Sequence, residues 1–264
     1  MNTVPSRDGT PLAYEASGSG PPLVLVNGAL SDRKTVAPLR PFLDPHFTVV
    51  AYDRRGRGGS GDSADPRDYA PEREVEDLAA VIDAVGPPAF VFGQSSGGLI
   101  ALRAATGGVA MRRLAVNEPP FVEHRLPSPP PAEVTSRLQI LVAAGDREGA
   151  LRTFLGEQVG LPAPVLESLK GSPSWPAMLA LAHTTPYDAA LSAMTSLPSA
   201  QSLAGMKTRT LVLYGGASFP WMAATSRTLS QNLPNAELVL LEGQPHSPAP
   251  QALAPALLRF FLAE

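Results

Sequence analysis

The stretch Phe90-Val91-Phe92-Gly93-Gln94-Ser95-Ser96-Gly97-Gly98-Leu99-Ile100-Ala101-Leu102 decides the fold. It opens on aromatic and β-branched residues, which suit a buried strand. It closes on an apolar run with helical character. Between them lies Gly93-x-Ser95-x-Gly97, with glycines where a β-carbon would clash in a tight turn. Strand, sharp turn and helix in that order put Ser95 at the apex of a strained elbow, its hydroxyl held clear of the backbone. The helix N-terminus beneath favours developing negative charge. The five-residue pattern is weak by itself, because Gly and Ser are common. Its flanks give it meaning.

Bulk composition narrows the alternatives. The chain has 264 residues, 44% hydrophobic and 17% charged, enough apolar material for one large α/β domain or a core with an inserted lobe. A net charge of -3 without a basic block gives no footprint for nucleic acid. There are no cysteines, which removes disulfides and thiolate metal sites. No apolar run approaches membrane-spanning length, and residues 1–8 lack the shape of a signal peptide. The expectation is a cytoplasmic protein acting on a small molecule, with no metal, nucleic-acid or membrane partner. Nothing in the pattern specifies an oligomeric state.

Outward from the elbow, strands and helices alternate. Residues 10–15, 23–26, 47–52, 89–92 and 113–117 read as strands, as do 210–214 and 237–241. Residues 72–85 carry Val75, Leu78, Ala79, Ile82 and Val85 at helical spacing. Residues 33–43 read as a short helix despite Pro38 and Pro41; 222–233 and 252–262 read as later helices. Between the proline-rich connector 127–131 and Leu203 only helical patterns occur: 134–143, 149–159, 164–169, 175–182 and 189–194. Strands joined by crossover helices predict a mainly parallel sheet covered on both faces. The division expected is a core of residues 1–118 and 206–264, with 119–205 inserted as a helical cap.

Four segments, in this order and at these strand ends, resemble the α/β-hydrolase family: Asn27-Gly28-Ala29-Leu30, Tyr52 through Ser60, Gly93 through Gly98, and Gly243-Gln244-Pro245-His246. The resemblance spans nearly the whole chain. It is closest to small cofactor-free bacterial hydrolases of the actinobacterial type with a helical cap. It implies the α/β-hydrolase fold and no cofactor. It also implies a catalytic role for Ser95 as nucleophile and His246 as general base, and an oxyanion hole from the backbone N–H groups of Ser96 and Ala29, Ala29 being favoured over Gly28. The family commonly has His-Gly where this chain has Asn27-Gly28, so Asn27 is expected to brace that loop.

The third member of the expected triad is displaced. The family's usual acid follows the strand at 210–214. Here that segment reads Gly215-Gly216-Ala217-Ser218-Phe219-Pro220-Trp221, with Phe219 where an aspartate is expected, and residues 210–236 contain no Asp or Glu. Some relatives, certain haloalkane dehalogenases among them, carry the acid after the strand that follows the elbow helix. Glu118 stands there in this chain. A Ser–His dyad, or another acid such as Asp188, is the alternative.

The remaining readings are plainer. Asp53 is expected to brace its loop; Arg54, Arg55 and Arg57 are expected to brace it or face solvent. His46, His124 and His183 read as surface or packed histidines. Phe121, Trp175, Met178, Phe219 and Trp221, with Met222, are candidates for an apolar substrate pocket, packing being the alternative for each. The function expected is hydrolysis of a small, largely apolar carboxylic ester, lactone or thioester through an acyl-enzyme on Ser95. A serine rather than an aspartate at the elbow argues against epoxide-hydrolase and dehalogenase chemistry. The alternatives are a cyclase, an acyltransferase, a C–C bond-cleaving enzyme, or an inactive ligand-binding relative.

Overall fold

Apolar runs bounded by Gly, Pro and Asp form the strands of the computed structural model, which describes residues 1–63, 69–121, 133–193 and 200–263. The strands are β1 (Asn2–Pro5), β2 (Pro11–Gly18), β3 (Pro22–Val26), β4 (Thr48–Tyr52), β5 (Ala89–Gln94), β6 (Met111–Asn117), β7 (Thr210–Gly215) and β8 (Ala236–Leu241). They form one sheet in the order β1-β2-β4-β3-β5-β6-β7-β8. β1, β2 and β4 pair antiparallel, and every later pairing is parallel. The mainly parallel sheet matches expectation. The leading hairpin was only half legible, because β1 is a short, mostly exposed strand without an apolar face.

The helices of the core are α1 (Arg40–Leu43), α2 (Pro71–Val85), α3 (Ser96–Thr106), α10 (Pro220–Asn232) and α11 (Pro250–Leu262). Those between β6 and β7 are α4 (Val134–Ala143), α5 (Arg147–Thr153), α6 (Ala163–Lys170), α7 (Trp175–Ala180), α8 (Thr185–Ala193) and α9 (Ala200–Ala204). Two expectations about helices change. Residues 33–43 form a 3-10 helix, Arg33–Leu39, followed by the single turn α1, since Pro38 and Pro41 deny the backbone donors a longer α-helix needs. The predicted helix 149–159 starts at Arg147 and passes into a π-helical turn over Phe154–Val159, which ends on left-handed Gly160.

Successive strand side chains point to opposite faces, so each strand feeds two cores. Val24, Val26, Val91, Leu114 and Val116 pack with α2 and α3, and with Leu229 of α10, on one face. Leu23, Leu25, Phe90, Phe92 and Leu213 pack on the other with α11 residues Leu253, Leu257, Phe260 and Phe261. The unbroken apolar strand sequences follow from this double covering. The helices between β6 and β7 have a cluster of their own, built on Val134, Leu138, Leu151, Phe154, Leu166 and Trp175. The connector 127–131 and His124 lie outside the described residues.

The strand order reverses around β3, since β4 lies on one side and β5 on the other. In a doubly wound sheet such a switch point opens a crevice at the C-terminal strand ends. The loops after β3, β5, β6, β7 and β8 carry the residues discussed next.

Removing the Leu257 side chain tests the α11 face. Leu257 is fully buried. Leu257→Ala is expected to cost about 2–5 kcal/mol, read as a lower urea midpoint at unchanged slope.

Candidate active site

Ser95 occupies the joint between β5 and α3 with φ 53° and ψ −123°. An L-residue held there costs about 1–3 kcal/mol, which the surroundings must impose. The glycines explain how. A β-carbon on Gly97 would lie 2.1 Å from the Val26 carbonyl oxygen, and one on Gly93 would lie 2.7 Å from that of Gly97. Only glycine lets α3 start this close to the end of β3. The Ser95 N–H donates to the Asn117 carbonyl (2.9 Å), which ties the elbow to β6.

Glu118 follows β6 with φ 46° and is fully buried. Its N–H donates to the Leu213 carbonyl at 3.1 Å. Its Oε1 accepts the Gly215 N–H at 2.8 Å. Its Oε2 accepts the Ser218 hydroxyl at 2.6 Å and the His246 Nδ1–H at 2.5 Å. The segment after β7, where the family's acid is usual, thus supplies donors to a carboxylate that arrives from β6. Phe219 sets its ring edge-on to the imidazole, centroids 5.7 Å apart.

A proton bound at Nδ1 leaves the other His246 nitrogen free to accept. The loop bearing His246 is held as well. Its carbonyl accepts Gln94 Nε2 (2.9 Å) and Asn117 Nδ2 (3.1 Å). Gln94 and Asn117 are register partners at the last positions of β5 and β6. Sequence reasoning passed over both; a polar residue closing an otherwise apolar strand was the available signal. Among the described residues three non-glycines have positive φ, Leu30, Ser95 and Glu118, and all three stand at this strand-end cluster.

The loop after β3 is braced as expected, with Asn27 Nδ2 donating to the Asp32 carbonyl at 2.8 Å. Behind it lies a buried ionic network. Arg54 makes a two-pronged bond to Glu74 (2.8 and 2.6 Å) and donates to Asp188 (3.0 Å). Arg57 donates to the other Asp188 oxygen (2.6 Å), and the Ser96 hydroxyl donates to Asp188 (2.8 Å). Arg54, Arg57, Glu74 and Asp188 are essentially inaccessible. The solvent-facing alternative for Arg54, Arg55 and Arg57 is therefore corrected: each is buried against carboxylates, Arg55 against Asp77 and Asp8. Asp53 braces its loop, accepting the Arg33 and Gly59 N–H groups at 2.7 and 2.8 Å. Asp188, the alternative acid, is engaged by Ser96 and two arginines.

Burial pushes the Asp188 carboxyl up, but Arg57, Arg54 and the Ser96 hydroxyl outweigh it and hold the pKa below the ordinary carboxylate value. For Asp77 burial outweighs the Arg55 bond, and its pKa is raised.

Ser95, Ser96, Ala29, Met178, Phe219, Trp221, Met222 and His246 line one cavity of about 510 Å³. Leu30, Phe154, Leu155 and Val159 extend its apolar wall. Two expected pocket residues are corrected. Phe121 is buried in the core cluster on the α2 and α3 face of the sheet, its carbonyl accepting the Thr225 hydroxyl, and Trp175 in the cluster of the helices between β6 and β7; neither lines the cavity. Among the described residues no Lys or Arg lines it, and no group of three or more metal-ligating side chains occurs. His183 is packed, its Nε2 bonded to the Gly56 carbonyl at 2.8 Å. Among the described residues no helix is long and apolar enough to cross a membrane.

The family model of the alpha/beta hydrolase family matches residues 23–256, and the chain belongs to that family of enzymes. The crystal structure of an alpha/beta hydrolase from Sphaerobacter thermophilus DSM 20745 is 50% identical with a TM-score of 0.91, covering 98% of this chain and 100% of that one. An uncharacterized hydrolase, YraK, of Bacillus subtilis (strain 168) is 35% identical over 95 residues, 36% of this chain and 35% of that protein. A pimeloyl-[acyl-carrier protein] methyl ester esterase of Xanthomonas oryzae pv. oryzae (strain MAFF 311018) is 37% identical over 99 residues, 38% of this chain and 37% of that protein. The chain thus matches just over a third of the length of these two curated relatives.

Two outcomes follow from this geometry. Gly97→Ala forces a β-carbon onto the Val26 carbonyl, so the melting temperature is expected to fall by several degrees in a thermal scan, with loss of any Ser95 reactivity. The depressed Asp188 pKa stabilises the fold above the unfolded-state value, and that stabilisation fades as pH falls through the lowered native value. The raised Asp77 pKa contributes with the opposite sign. Urea unfolding at pH 7 and pH 3.5 is expected to show lower stability at the acid pH, with a smaller drop in Asp188→Asn.

Proposed function

We propose that the protein is a serine hydrolase acting on a small, largely apolar carboxylic ester, lactone or thioester. The observation that carries this is the 2.5 Å contact between Glu118 and His246 Nδ1, in a cavity that also exposes Ser95. Glu118 orients the imidazole and stabilises the imidazolium. His246 takes the Ser95 proton as the hydroxyl attacks the carbonyl carbon, then gives it to the leaving group. The Ser96 and Ala29 N–H groups receive the charge that develops on the carbonyl oxygen. Water, deprotonated by His246, then releases the acid from Ser95.

The cavity chemistry supports the substrate class. Its walls are largely apolar, and the one carboxylate lining it among the described residues, Asp188, is already neutralised by Arg54 and Arg57. Among the described residues no Lys or Arg lines the cavity to pair with a phosphate or a free carboxylate on the substrate. A cavity of about 510 Å³ suits a compact acyl and alcohol pair. The resemblance to a methyl ester esterase points to the same bond type. The helices between β6 and β7 act in this reading as a lid, with Phe154, Leu155, Val159 and Met178 facing the substrate.

A fluorophosphonate probe followed by peptide mapping tests the nucleophile; labelling of Ser95 is expected, and an unlabelled Ser95 overturns the proposal. In Glu118→Gln, kcat/KM for a p-nitrophenyl ester is expected to fall at least about 100-fold. A near wild-type rate removes Glu118 from the mechanism.

A further inference from the structure

Asp188 lies on α8, remote in sequence from both the elbow and the loop after β3, yet it is bonded to both. On the elbow side it accepts the hydroxyl of Ser96, the first residue of α3, at 2.8 Å. On the loop side it acts through two arginines. Arg54 Nη1, 3.0 Å from Asp188, also donates to the Asn27 carbonyl at 3.3 Å. Arg57, 2.6 Å from Asp188 through Nη2, donates through Nη1 to the Gly28 carbonyl at 3.1 Å.

The Gly28 bond fixes more than an oxygen. The Gly28 carbonyl and the Ala29 N–H share one planar trans peptide unit and point in opposite directions. Anchoring the carbonyl on Arg57 therefore aims the Ala29 N–H the other way, and Ala29 lines the cavity. A cation on the carbonyl also polarises that peptide and makes its N–H a stronger donor. Among the described residues Arg57 pairs with one carboxylate, Asp188. Without that carboxylate the guanidinium is a buried charge lacking a counterion, and its hold on Gly28 loses its fixed point.

We propose that Asp188 is a positioning residue for the oxyanion hole, joining its two halves: Ser96 through the hydroxyl, and Ala29 through Arg57 and the Gly28 carbonyl. This rests on the serine-hydrolase reading above. The two donors come from different elements, α3 and the β3 loop, and an oxyanion hole works only when both are placed before the charge develops. A carboxylate supplied by an inserted helix makes that placement depend on the inserted helices being docked. No reacting atom needs to touch Asp188.

The test compares wild type, Asp188→Asn and Ser96→Ala in three readouts: kcat and KM for a p-nitrophenyl ester, affinity for a trifluoromethyl ketone, and affinity for the matching alcohol. The ketone forms a tetrahedral oxyanion on a serine; the alcohol does not. Asp188→Asn is expected to lower kcat and ketone affinity together by about 10- to 100-fold, with KM and alcohol affinity within about twofold. Ser96→Ala keeps the backbone N–H and both Asp188 ion pairs and removes only the hydroxyl's bonds to Asp188 and Arg54; a parallel loss of about fivefold is expected. A purely structural role moves the denaturation midpoint and leaves the ketone-to-alcohol affinity ratio of the folded protein at the wild-type value, which overturns the proposal. If Asp188→Asn does not fold, Ser96→Ala decides by the same ratio. Wild-type protein that neither hydrolyses the ester nor binds the ketone more tightly than the alcohol overturns the hydrolase reading itself, whereas active wild type with unaffected variants overturns only the role of Asp188.

Discussion

The Glu118 carboxylate is the group on which the arrangement at the strand ends depends. It is fully buried, and burial of an unpaired carboxylate is costly, so its neighbours must be arranged around it. They are: the Gly215 N–H, the Ser218 hydroxyl and His246 Nδ1 converge on its two oxygens. The loops after β6, β7 and β8 are thereby fixed to one another. Glu118 itself is held at positive φ, and its N–H is spent on β7. The strain is local, and the bonds that maintain it come from β7 and from the loops after β7 and β8.

A second buried group, Asp188, does for the other side of the cavity what Glu118 does for the histidine side. Each is a carboxylate whose charge is met by donors from several elements, and each is bonded to a residue that lines the cavity. Between the two stands Ser95, strained and pressed against β3 through Gly97. The reacting side chains proposed here are few. The groups holding them are many, and they are drawn from nearly every loop at the C-terminal edge of the sheet. This agrees with the marginal stability of folded chains, in which strain at one place is offset by packing elsewhere.

Much of this was legible in the sequence, and for stated reasons. Continuous apolar runs separated by Gly, Pro and Asp gave the strands because both faces of the sheet are covered. The elbow was visible because its glycines are demanded by contacts below 3 Å. Glu118 was legible as a candidate because the segment after β7 holds no acid, and neighbouring parallel strands bring their ends side by side. The rest depended on distance in space rather than order in sequence. Nothing in the spacing of Arg54, Arg57 and Asp188 announces that they meet, since 131 residues separate Arg57 from its partner. Phe121 and Trp175 have the composition of pocket residues and the positions of core residues. The π-turn at Phe154–Val159 departs from the α-helical period that the sequence suggests, and it places four side chains on the cavity wall.

The contact between Glu118 and His246 is the most direct point of test, and proton NMR reads it without any substrate. A short bond from imidazole Nδ1–H to a buried carboxylate gives a resonance far downfield of the backbone amides. The account predicts such a signal in the wild-type protein, its assignment to His246 by loss in His246→Ala, and its disappearance or strong upfield shift in folded Glu118→Gln. A folded wild-type protein without the signal, or a signal that Glu118→Gln leaves in place, contradicts it.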